Sequence, residues 1–393
     1  MKRTIEDFDL ENKKVIIRVD FNVPMENGII QDDTRIRASL KTIKYAIGHG
    51  AKVILMSHLG KVKNKEDLKK NNLYPVSVRL GELLHREVFF SDVTRGVDLE
   101  KKINSMKNGD VLLIQNTRYE DLDGKKESGC DEILSSYWAS LGDIFINDAY
   151  GTCHRAHASN VGIAKLLPNG IGFLVENEIN KLDAIMKEDT HPFIVMMGGA
   201  KIHDKMKVIE NLGGICDKLL IGGGMAYTFL KASGFEVGNS LIDEEGIEFC
   251  KKMLEMYPEK IVLPVDHVVA TSLDDKNTSV KRIESTLSYE MGFDIGPETI
   301  QLFCEYLKSA KRVIINGPMG MFENPLYQNG TRSIYQCIGE NKVKTLVGGG
   351  DSAASVHLLS QESYFYHIST GGGATLEYLE GKVLPGILVI YEK

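Results

Sequence analysis

The sequence predicts a doubly wound α/β fold that is built twice, with a helix joining the two lobes. Two observations support this prediction. Apolar, β-branched runs recur along the whole chain with helical spacers between them, and continuous runs of this kind are typical of parallel strands covered on both faces. In addition, four runs of the second half end in glycine clusters, which suit tight turns from a strand into a helix.

The candidate strands are distributed over both halves of the chain. In the first half they are VIIRVDF (15–21), KVILMSH (52–58), VLLIQN (111–116) and DIFIND (143–148). In the second half they are FIVMMGG (193–199), KLLIGGG (218–224), KIVLPVD (260–266), RVIINGP (312–318), KTLVGGG (344–350) and FYHISTGGG (365–373). Open parallel sheets bind ligands beyond the carboxyl ends of their strands, so we expect the chemistry where these runs end.

The segment VENEINKLDAIM (175–186) is the expected connection between the lobes. Its apolar residues recur on one face of a helix, at Val175, Ile179, Leu182 and Met186. His191–Pro192 is expected to stop this helix. A helix that joins two lobes is preferred here to a helix that binds a partner protein. We expect a first lobe over 1–172, a connecting region over 173–190 and a second lobe over 191–376.

Composition excludes several classes of protein. The 393 residues are 43% hydrophobic and 26% charged, as in an ordinary globular protein long enough for two or three domains. The N-terminus has no apolar signal region, and no run approaches the ~18 apolar residues of a membrane helix. We therefore expect a cytoplasmic protein without membrane contact. The six cysteines are scattered and are expected to be free thiols rather than disulfides or zinc ligands.

Charge is distributed unevenly between the halves. The net charge of −7 argues against nucleic-acid binding. Residues 1–190 carry −1 and residues 191–393 carry −6. An anion in the second half must therefore be held by backbone N–H groups, a few lysines or a metal, whereas the first half has arginines available.

Glycine clusters mark the strand ends of the second half, in MMGGAK (196–201), IGGGM (221–225), VGGGD (347–351) and STGGGA (369–374). Backbone N–H groups at such turns favour phosphate, and several loops at one edge can converge on one polyphosphate. Neither the P-loop pattern nor G-x-G-x-x-G occurs. Asp351 follows one cluster and would repel phosphate, so it is either a helix N-cap or separated from the anion by a cation.

Polar residues near the glycine clusters extend this hypothesis. Lys201 and Lys205 are four residues apart, and on a helix they would share a face near its N-terminus. Two cations there are unfavourable without an anion, and the alternative is a pair of solvated lysines. INGPMGMFEN (315–324) is a turn-rich strand exit that contains Asn316 and Glu323.

The strand exits of the first half carry cationic and polar side chains instead. They are Arg18, Asp20, Asn22, Arg35, Arg37, His58, Lys61, Arg118, Asp148, His154, Arg155 and His157. Each alone could be a surface charge, but together they indicate a basic bowl for a small polyanion, because arginine forks suit carboxylate and phosphate oxygens. The H-x-x-H pair at 154–157 lacks the glutamate of a zinc motif, so zinc is not expected.

No motif of a catalytic nucleophile is present. A G-x-S-x-G elbow and a catalytic cysteine motif are both absent. Anion sites on two lobes without a nucleophile agree with direct phosphoryl transfer, which depends mainly on positioning and charge neutralisation.

These segments together resemble the phosphoglycerate kinase family over essentially the whole chain. The resemblance lies in RVDFNVP, DDTRIRASLKTI, SHLGK, NDAYGTCHRAHAS, GGAKIHDK, GGGMAYTFLKA, INGPMGMFE, VGGGDSA and STGGGATLEYLEGKVLPG. It implies two Rossmann-like lobes and reversible transfer of the acyl phosphate of 1,3-bisphosphoglycerate to Mg-ADP, giving 3-phosphoglycerate and ATP. It also implies a monomer in glycolysis whose tail, 377–393, packs back on the first lobe.

The resemblance assigns site residues by position. It implies a phosphoglycerate site made of Asp20, Phe21, Asn22, Arg35, His58, Leu59, Gly60, Lys61, Arg118 and Arg155. It implies a nucleotide site made of Lys205, Gly292, Asn316, Glu323, Gly349, Gly350, Asp351 and Ser352. Glu323 would bind the ribose, and Asp351 would be the Mg²⁺ ligand. Catalytic roles would fall to Arg35, Lys201, Lys205, Gly371, Gly372 and Gly373.

The implied mechanism is hinge closure followed by in-line transfer. The substrates would bind on facing lobes, and the 175–186 helix and the tail would carry the hinge that excludes water. One rival is a non-catalytic two-lobed binding protein, which would form no ATP. Another is a dehydrogenase, which would need a G-x-G-x-x-G turn that the sequence lacks.

Overall fold

The computed structural model describes all 393 residues. Contacts between residues divide the chain into two compact units. Unit 1 comprises Met1–Asn180 and Val383–Lys393, and unit 2 comprises Lys181–Lys382. The chain passes from unit 1 into unit 2 within a single helix, Phe173–Met186.

Unit 1 contains one parallel sheet, a small hairpin and surrounding helices. Its strands are β1 (Lys14–Val19), β2 (Met25–Glu26), β3 (Ile29–Ile30), β4 (Lys52–Met56), β5 (Phe89–Ser91), β6 (Val111–Ile114), β7 (Ile144–Asp148) and β8 (Asn169–Ile171). Its helices are α1 (Thr34–Gly48), α2 (Lys65–Lys70), α3 (Tyr74–Leu84), α4 (Val97–Ser105), α5 (Glu132–Ser140) and the start of α6 (Phe173–Met186).

The six-stranded sheet of unit 1 has the order β5-β6-β4-β1-β7-β8, and all its strands are parallel. The strands are mainly apolar because helices cover both faces, and β1, β4, β6 and β7 are buried apart from the first residue of β1 and of β4. Strand order reverses between β1 and β7. Residues that leave these two strands therefore line the crevice where doubly wound sheets bind ligands.

Unit 2 contains a second parallel sheet and a smaller antiparallel one. Its strands are β9 (Phe193–Met197), β10 (Lys218–Ile221), β11 (Ile261–Val262), β12 (Asp266–Ala270), β13 (Ser279–Arg282), β14 (Met291–Ile295), β15 (Arg312–Asn316), β16 (Lys344–Val347) and β17 (His367–Ile368). Its helices are α7 (Met206–Ile215), α8 (Met225–Ala232), α9 (Ile247–Met256), α10 (Pro297–Ser309), α11 (Asn329–Glu340), α12 (Gly350–Leu358) and α13 (Gly373–Leu379).

The parallel sheet of unit 2 has the order β11-β10-β9-β15-β16-β17. In chain order this is 3-2-1-4-5-6, the arrangement of a dinucleotide-binding sheet. The switch point lies between β9 and β15, so the loops after Met197 and Asn316 flank the ligand crevice. The antiparallel sheet β13-β12-β14 belongs to the same unit, and Gly292 lies in its strand β14.

The C-terminal segment returns to unit 1. It includes the short helix α14 (Pro385–Leu388), and the side chain of Asn147 donates to Gly386 O across 3.0 Å. Lys2 and Glu392 form a β-bridge, and their side chains are ion-paired at 2.8 Å. The two ends of the chain are thus held together within this unit.

All ten predicted strands are confirmed, as is the helix predicted at 175–186. That helix ends at Met186, so the expectation that His191–Pro192 stops it is wrong; the chain has already left the helix five residues earlier. The sequence did not indicate the β2–β3 hairpin, β5, β8 or the three-stranded antiparallel sheet. Strand β13, SVKR, is largely exposed and polar, so it carries no apolar run that could identify it.

Candidate functional site

In unit 1, the loop after β1 presents a buried carboxylate to a cation from α1. Asp20 Oδ2 accepts from Arg35 Nη1 across 2.8 Å, and Asp20 Oδ1 lies 4.0 Å from His58 Nδ1. Burial tends to raise the pKa of Asp20, but the charges of Arg35 and Arg18 outweigh burial and lower it. Asp20 is therefore an anion that holds Arg35 at the carboxyl edge of the sheet.

Arg18 fixes the protonation state of His58. Its Nη2 lies 3.2 Å from His58 Nδ1, and because arginine can only donate, Nδ1 must accept. His58 is then neutral with its proton on Nε2. Burial lowers the pKa of His58 to about 3, and the positive charges of Arg18 and Arg118 also disfavour protonation of the ring. The site thus contains a neutral imidazole whose Nε2–H remains able to donate.

Two further buried residues, Ser159 and Glu127, hold the Arg18 side chain in place. Arg18 Nε donates to Ser159 Oγ across 2.8 Å, and Ser159 donates from both its hydroxyl and its backbone N–H to the carboxylate of Glu127. Arg18, Glu127 and Ser159 are fully buried. Neither Glu127 nor Ser159 was a predicted site residue, because no local pattern links them to a strand end 141 residues away from Ser159.

The other predicted residues of unit 1 divide into loop-forming and surface positions. Asn22 Oδ1 accepts from Gly60 N across 2.8 Å, which joins the loops after β1 and β4. Phe21 and Leu59 have their side chains in the core, so only their backbone can contact a ligand. Lys61 and Arg155 have exposed side chains.

Arg118 lies close to the central cluster. Its charge acts on both His58 and Arg18, and its side chain is only 15% exposed, with Nη1 3.8 Å from Asp121. The structure therefore brings together Asp20, Arg35, His58 and Arg118. Two arginines and a neutral imidazole at one sheet edge can bind phosphate and carboxylate oxygens.

In unit 2, a pocket of about 330 Å³ opens at the carboxyl edge of the sheet. One side of it is formed by Gly199, Ala200, Gly223 and Gly224 of two glycine clusters, together with Pro318 and Gly320 of the loop after β15. Another side is apolar, made by Leu241, Met291, Phe293, Met321 and Phe322. Gly292, Glu323 and Asp351, which were all predicted, also line it. The apolar wall was not predicted, because its residues come from strand β14 and two separate loops.

Two of the glycines are required by close packing between loops. A Cβ on Gly198 would overlap Pro318 O, and one on Gly223, whose φ is +63°, would lie 2.5 Å from Gly199 N. The loops after β9, β10 and β15 are thus in backbone contact. Two of the four predicted glycine clusters, those after β9 and β10, therefore converge, and the loop after β15 joins them.

Lys205 is folded beneath this edge. Its Nζ donates to Gly198 O across 2.6 Å and to Asn316 O across 2.7 Å. Burial lowers the pKa of Lys205 to about 8, while the charge of Asp351 raises it. The prediction that Lys201 and Lys205 share one face of a helix is wrong. Helix α7 begins at Met206, and Lys201 lies in the irregular segment after the glycine turn with an exposed side chain.

Asp351 is not an N-cap. Gly349, with φ +96°, occupies the cap of α12, and Asp351 is the second residue of the helix, with an exposed side chain. Asn316 Nδ2 donates to Gly348 O, and Ser352 Oγ accepts from Gly317 N across 2.6 Å. Asn316 and Ser352 therefore hold the loops in place, whereas Asp351 and Glu323 face the pocket.

The last glycine cluster also begins a helix. Gly372, with φ +49°, is the N-cap of α13, which starts at Gly373. The structure contains no group of three or more His, Cys, Asp or Glu side chains that could hold a metal ion. None of the helices has both the length and the apolar character required to span a bilayer.

The two units together define a kinase-type transferase that acts on small molecules. One unit presents an arginine-rich edge, and the other presents a glycine-lined pocket with an apolar wall. The sequence profile described as phosphoglycerate kinase matches residues 5–382, and the chain belongs to the phosphoglycerate kinase family. It is therefore a glycolytic phosphotransferase with a carboxyl group as acceptor, which transfers a phosphoryl group reversibly between 1,3-bisphosphoglycerate and ADP.

Relatives and solved structures agree with this assignment. The chain is 52% identical over 396 residues to the phosphoglycerate kinase of Enterococcus faecalis and 52% identical over 395 residues to that of Lacticaseibacillus casei, with 100% of each chain covered. The structure of phosphoglycerate kinase from Coxiella burnetii matches with a TM-score of 0.90 at 35% identity, covering 99% of this chain and 98% of that one. The enzyme from Pyrococcus horikoshii matches with a TM-score of 0.86 at 32% identity and the same coverage.

Proposed function

We propose that unit 1 binds the phosphoglycerate substrate through Asp20, Asn22, Arg35, His58, Lys61, Arg118 and Arg155, with backbone contacts from Phe21, Leu59 and Gly60. The grouping of Arg35, Arg118 and the neutral His58 around Asp20 supports this role. Arginine forks match the planar carboxylate and the phosphate of such a substrate. His58 Nε2–H supplies a neutral donor for a further oxygen.

The pocket of unit 2 is proposed to bind ADP and ATP. The single observation that supports this most strongly is that Gly292, Glu323 and Asp351 line one pocket with both an apolar wall and a glycine-lined side. The base would pack on Phe293 and Met321, and Glu323 would accept from the ribose hydroxyls. The phosphates would lie toward Lys205, the 349–352 turn and the N–H groups of α12.

Mg²⁺ fits the donor set of this pocket. Mg²⁺ in kinases is held by one or two carboxylates together with substrate phosphates and water. Asp351 supplies one exposed carboxylate on the pocket wall, and no other acidic or histidine cluster competes for a metal. When bound, Mg²⁺ would neutralise phosphate charge, and Asp351 would hold it.

The remaining residues are proposed to act on the migrating phosphoryl group. Arg35, Lys201, Lys205 and the N–H groups of Gly371, Gly372 and Gly373 would neutralise its oxygens, which is the main contribution that proteins make to phosphoryl transfer. The reacting atoms must approach to about 3–3.5 Å. A hinge at α6 would bring the two substrates together. We take the working enzyme to be a cytoplasmic monomer, with residues 1–172 and the tail 377–393 for phosphoglycerate and residues 191–376 for nucleotide.

The proposal is tested by separating binding from turnover. Calorimetry should show ADP and 3-phosphoglycerate binding independently, with ADP binding strengthened by Mg²⁺. A coupled assay should then show ATP from 1,3-bisphosphoglycerate and ADP only when Mg²⁺ is present. Phe293→Ala should weaken ADP binding and leave 3-phosphoglycerate binding unchanged. Loss of 3-phosphoglycerate binding in that variant would contradict the assignment of the two ligands to different units.

A further inference from the structure

Strand β14 contains an irregularity at the wall of the unit 2 pocket. Opposite β12, Asp294 pairs with Val268 and Gly292 pairs with Val269, so Phe293 is an extra residue between two paired positions. A β-bulge of this kind turns a side chain out of the regular alternation. Phe293 lines the pocket and stacks on Tyr327, with ring centroids 4.7 Å apart. The bulge therefore places the Phe293 ring in the apolar wall.

A buried tyrosine packs directly behind this bulge. Tyr227, on α8, is 5% exposed, and a Cβ added to Gly292 would overlap its hydroxyl. Tyr227, His267, Gly292 and Phe293 also surround an internal cavity of about 20 Å³, next to the pocket wall. Only glycine at 292 leaves room for the tyrosine hydroxyl, so the bulge and the tyrosine depend on each other.

The hydroxyl of Tyr227 begins a chain of hydrogen bonds whose direction is determined. Thr286 donates its hydroxyl proton to Ile283 O across 2.6 Å, so Thr286 Oγ1 accepts from His267 Nε2, 3.0 Å away. His267 then carries its proton on Nε2 and must accept at Nδ1, 3.1 Å from Tyr227 Oη. Tyr227 is the donor of that bond.

Electrostatics agree with this proton arrangement. His267 is 1% exposed, and burial lowers its pKa to about 4, so the ring is neutral at physiological pH. Each donor of the chain has one acceptor, and a buried network satisfied in this way is stiff. The chain extends from the pocket wall to the half-buried Thr286, which does not line the pocket.

We propose that Tyr227, His267 and Thr286 are positioning residues that hold the Gly292–Phe293 bulge in the shape that accepts the nucleotide base. This inference rests on the proposed nucleotide site. Removing any link leaves a buried polar group unpaired and allows the bulge to relax. We expect this change to weaken binding of the nucleotide base. Binding of the phosphates, at the glycine turns and α12, should not change.

The test compares ADP with tripolyphosphate as probes of the full-length enzyme. Tyr227→Phe and Thr286→Val should each raise the Kd of ADP about threefold to tenfold, the range of one hydrogen bond, and leave the Kd of tripolyphosphate unchanged. The double variant should be no weaker than the worse single variant, because the chain acts as a unit. Tyr335→Phe is the matched control. It removes an equally buried hydroxyl that bonds to Ser355, and it should leave ADP binding unchanged.

Three results would overturn the inference. These are an unchanged Kd for ADP in either single variant, an equal loss of tripolyphosphate binding, and additive effects in the double variant. Nitrogen-15 NMR of the wild-type enzyme gives a check that needs no variant, since a proton on Nδ1 of His267 would contradict the chain. Failure of the wild-type enzyme to bind ADP would instead contradict the proposed function.

Discussion

Arg35 Nη1 donates to Asp20 Oδ2 across 2.8 Å, which connects the first turn of α1 to the loop after β1. The Arg35 side chain is 38% exposed while that of Asp20 is 12% exposed. The guanidinium is therefore anchored on one side and open on the other. Because the ion pair with Asp20 already restricts the Arg35 side chain, binding an anion costs little further side-chain entropy.

Arg35→Ala should remove most of the turnover, weaken 3-phosphoglycerate binding much less, and leave ADP binding unchanged. A single arginine on the transferring phosphoryl group can contribute ~10³–10⁵ in rate, or about 4–7 kcal/mol. Stopped-flow turnover and calorimetric binding would measure both. Arg37→Ala is the control, since Arg37 pairs with Asp33 on the exposed side of α1. Near-normal kcat in Arg35→Ala would remove Arg35 from the mechanism.

Asp351→Ala should weaken Mg-ADP binding strongly and change metal-free ADP binding little. Without the metal, the carboxylate repels phosphate, so its loss costs nothing there. Calorimetry with and without Mg²⁺ distinguishes the two cases. Glu362→Ala is the control, because Glu362 pairs with His357 at the far end of α12. Equal losses with and without the metal would show that Asp351 has no role in holding Mg²⁺.

ADP binding should take up protons at mildly alkaline pH. Burial lowers the pKa of Lys205 to about 8, below its ordinary 10.5, so the free protein loses this proton as pH rises through 8. A bound polyanion favours the charged lysine and returns the proton. Calorimetry at pH 8.5 in buffers of different ionisation enthalpy would measure the uptake. Lys205→Met should abolish it, and the exposed Lys207→Met should not.

The same shift has a defined effect on stability. The folded-state pKa of Lys205 lies below the unfolded one, so the unfolded chain binds more protons between pH 8 and 10.5. The contribution of Lys205 to the free energy of unfolding therefore becomes more favourable as pH rises through this window. Denaturant titrations of wild type and Lys205→Met should differ in their pH dependence only there.

Glu127→Ala should destabilise the protein by about 3–5 kcal/mol, because it removes a buried carboxylate whose charge acts on the buried Arg18 and which accepts both hydrogen bonds from Ser159. Denaturant unfolding followed by fluorescence measures this loss. Glu132→Ala is the control, since Glu132 is exposed at the start of α5, and it should change stability by less than about 1 kcal/mol. A Glu127→Ala variant as stable as this control would show that Arg18 is not compensated by Glu127.

Gly198→Ala should destabilise unit 2 by about 1–3 kcal/mol, the usual cost of overpacking. The new methyl group would overlap Pro318 O in the adjoining loop, and backbone cannot move aside as a side chain can. Thermal unfolding measures the effect. Gly214→Ala, in an exposed turn of α7 with only Tyr257 Oη near its Cβ, should instead stabilise the protein slightly. Equal melting temperatures for the two variants would contradict the close loop packing.

Local pattern alone determined a large part of this protein. Buried parallel strands read as apolar runs, so ten strands could be placed from the sequence, and glycines at strand ends predicted the loops that converge in unit 2. Asp351 and Glu323 could be assigned to the nucleotide end by resemblance, and both lie on the pocket wall.

Only the tertiary structure decided which side chains are partners. Glu127 and Ser159, which are 32 positions apart in the sequence, are hydrogen-bonded to each other beside Arg18. Phe293 lines the pocket because of a bulge in β14, and Tyr227, which packs against that bulge, lies on α8. Strand order and bulge position bring such residues together, and neither can be predicted from the spacing of apolar residues. For the same reason the sequence could not show that Phe21 and Leu59 are core side chains, because both lie in loops just beyond a strand, where no regular spacing marks the side chains that point into the core.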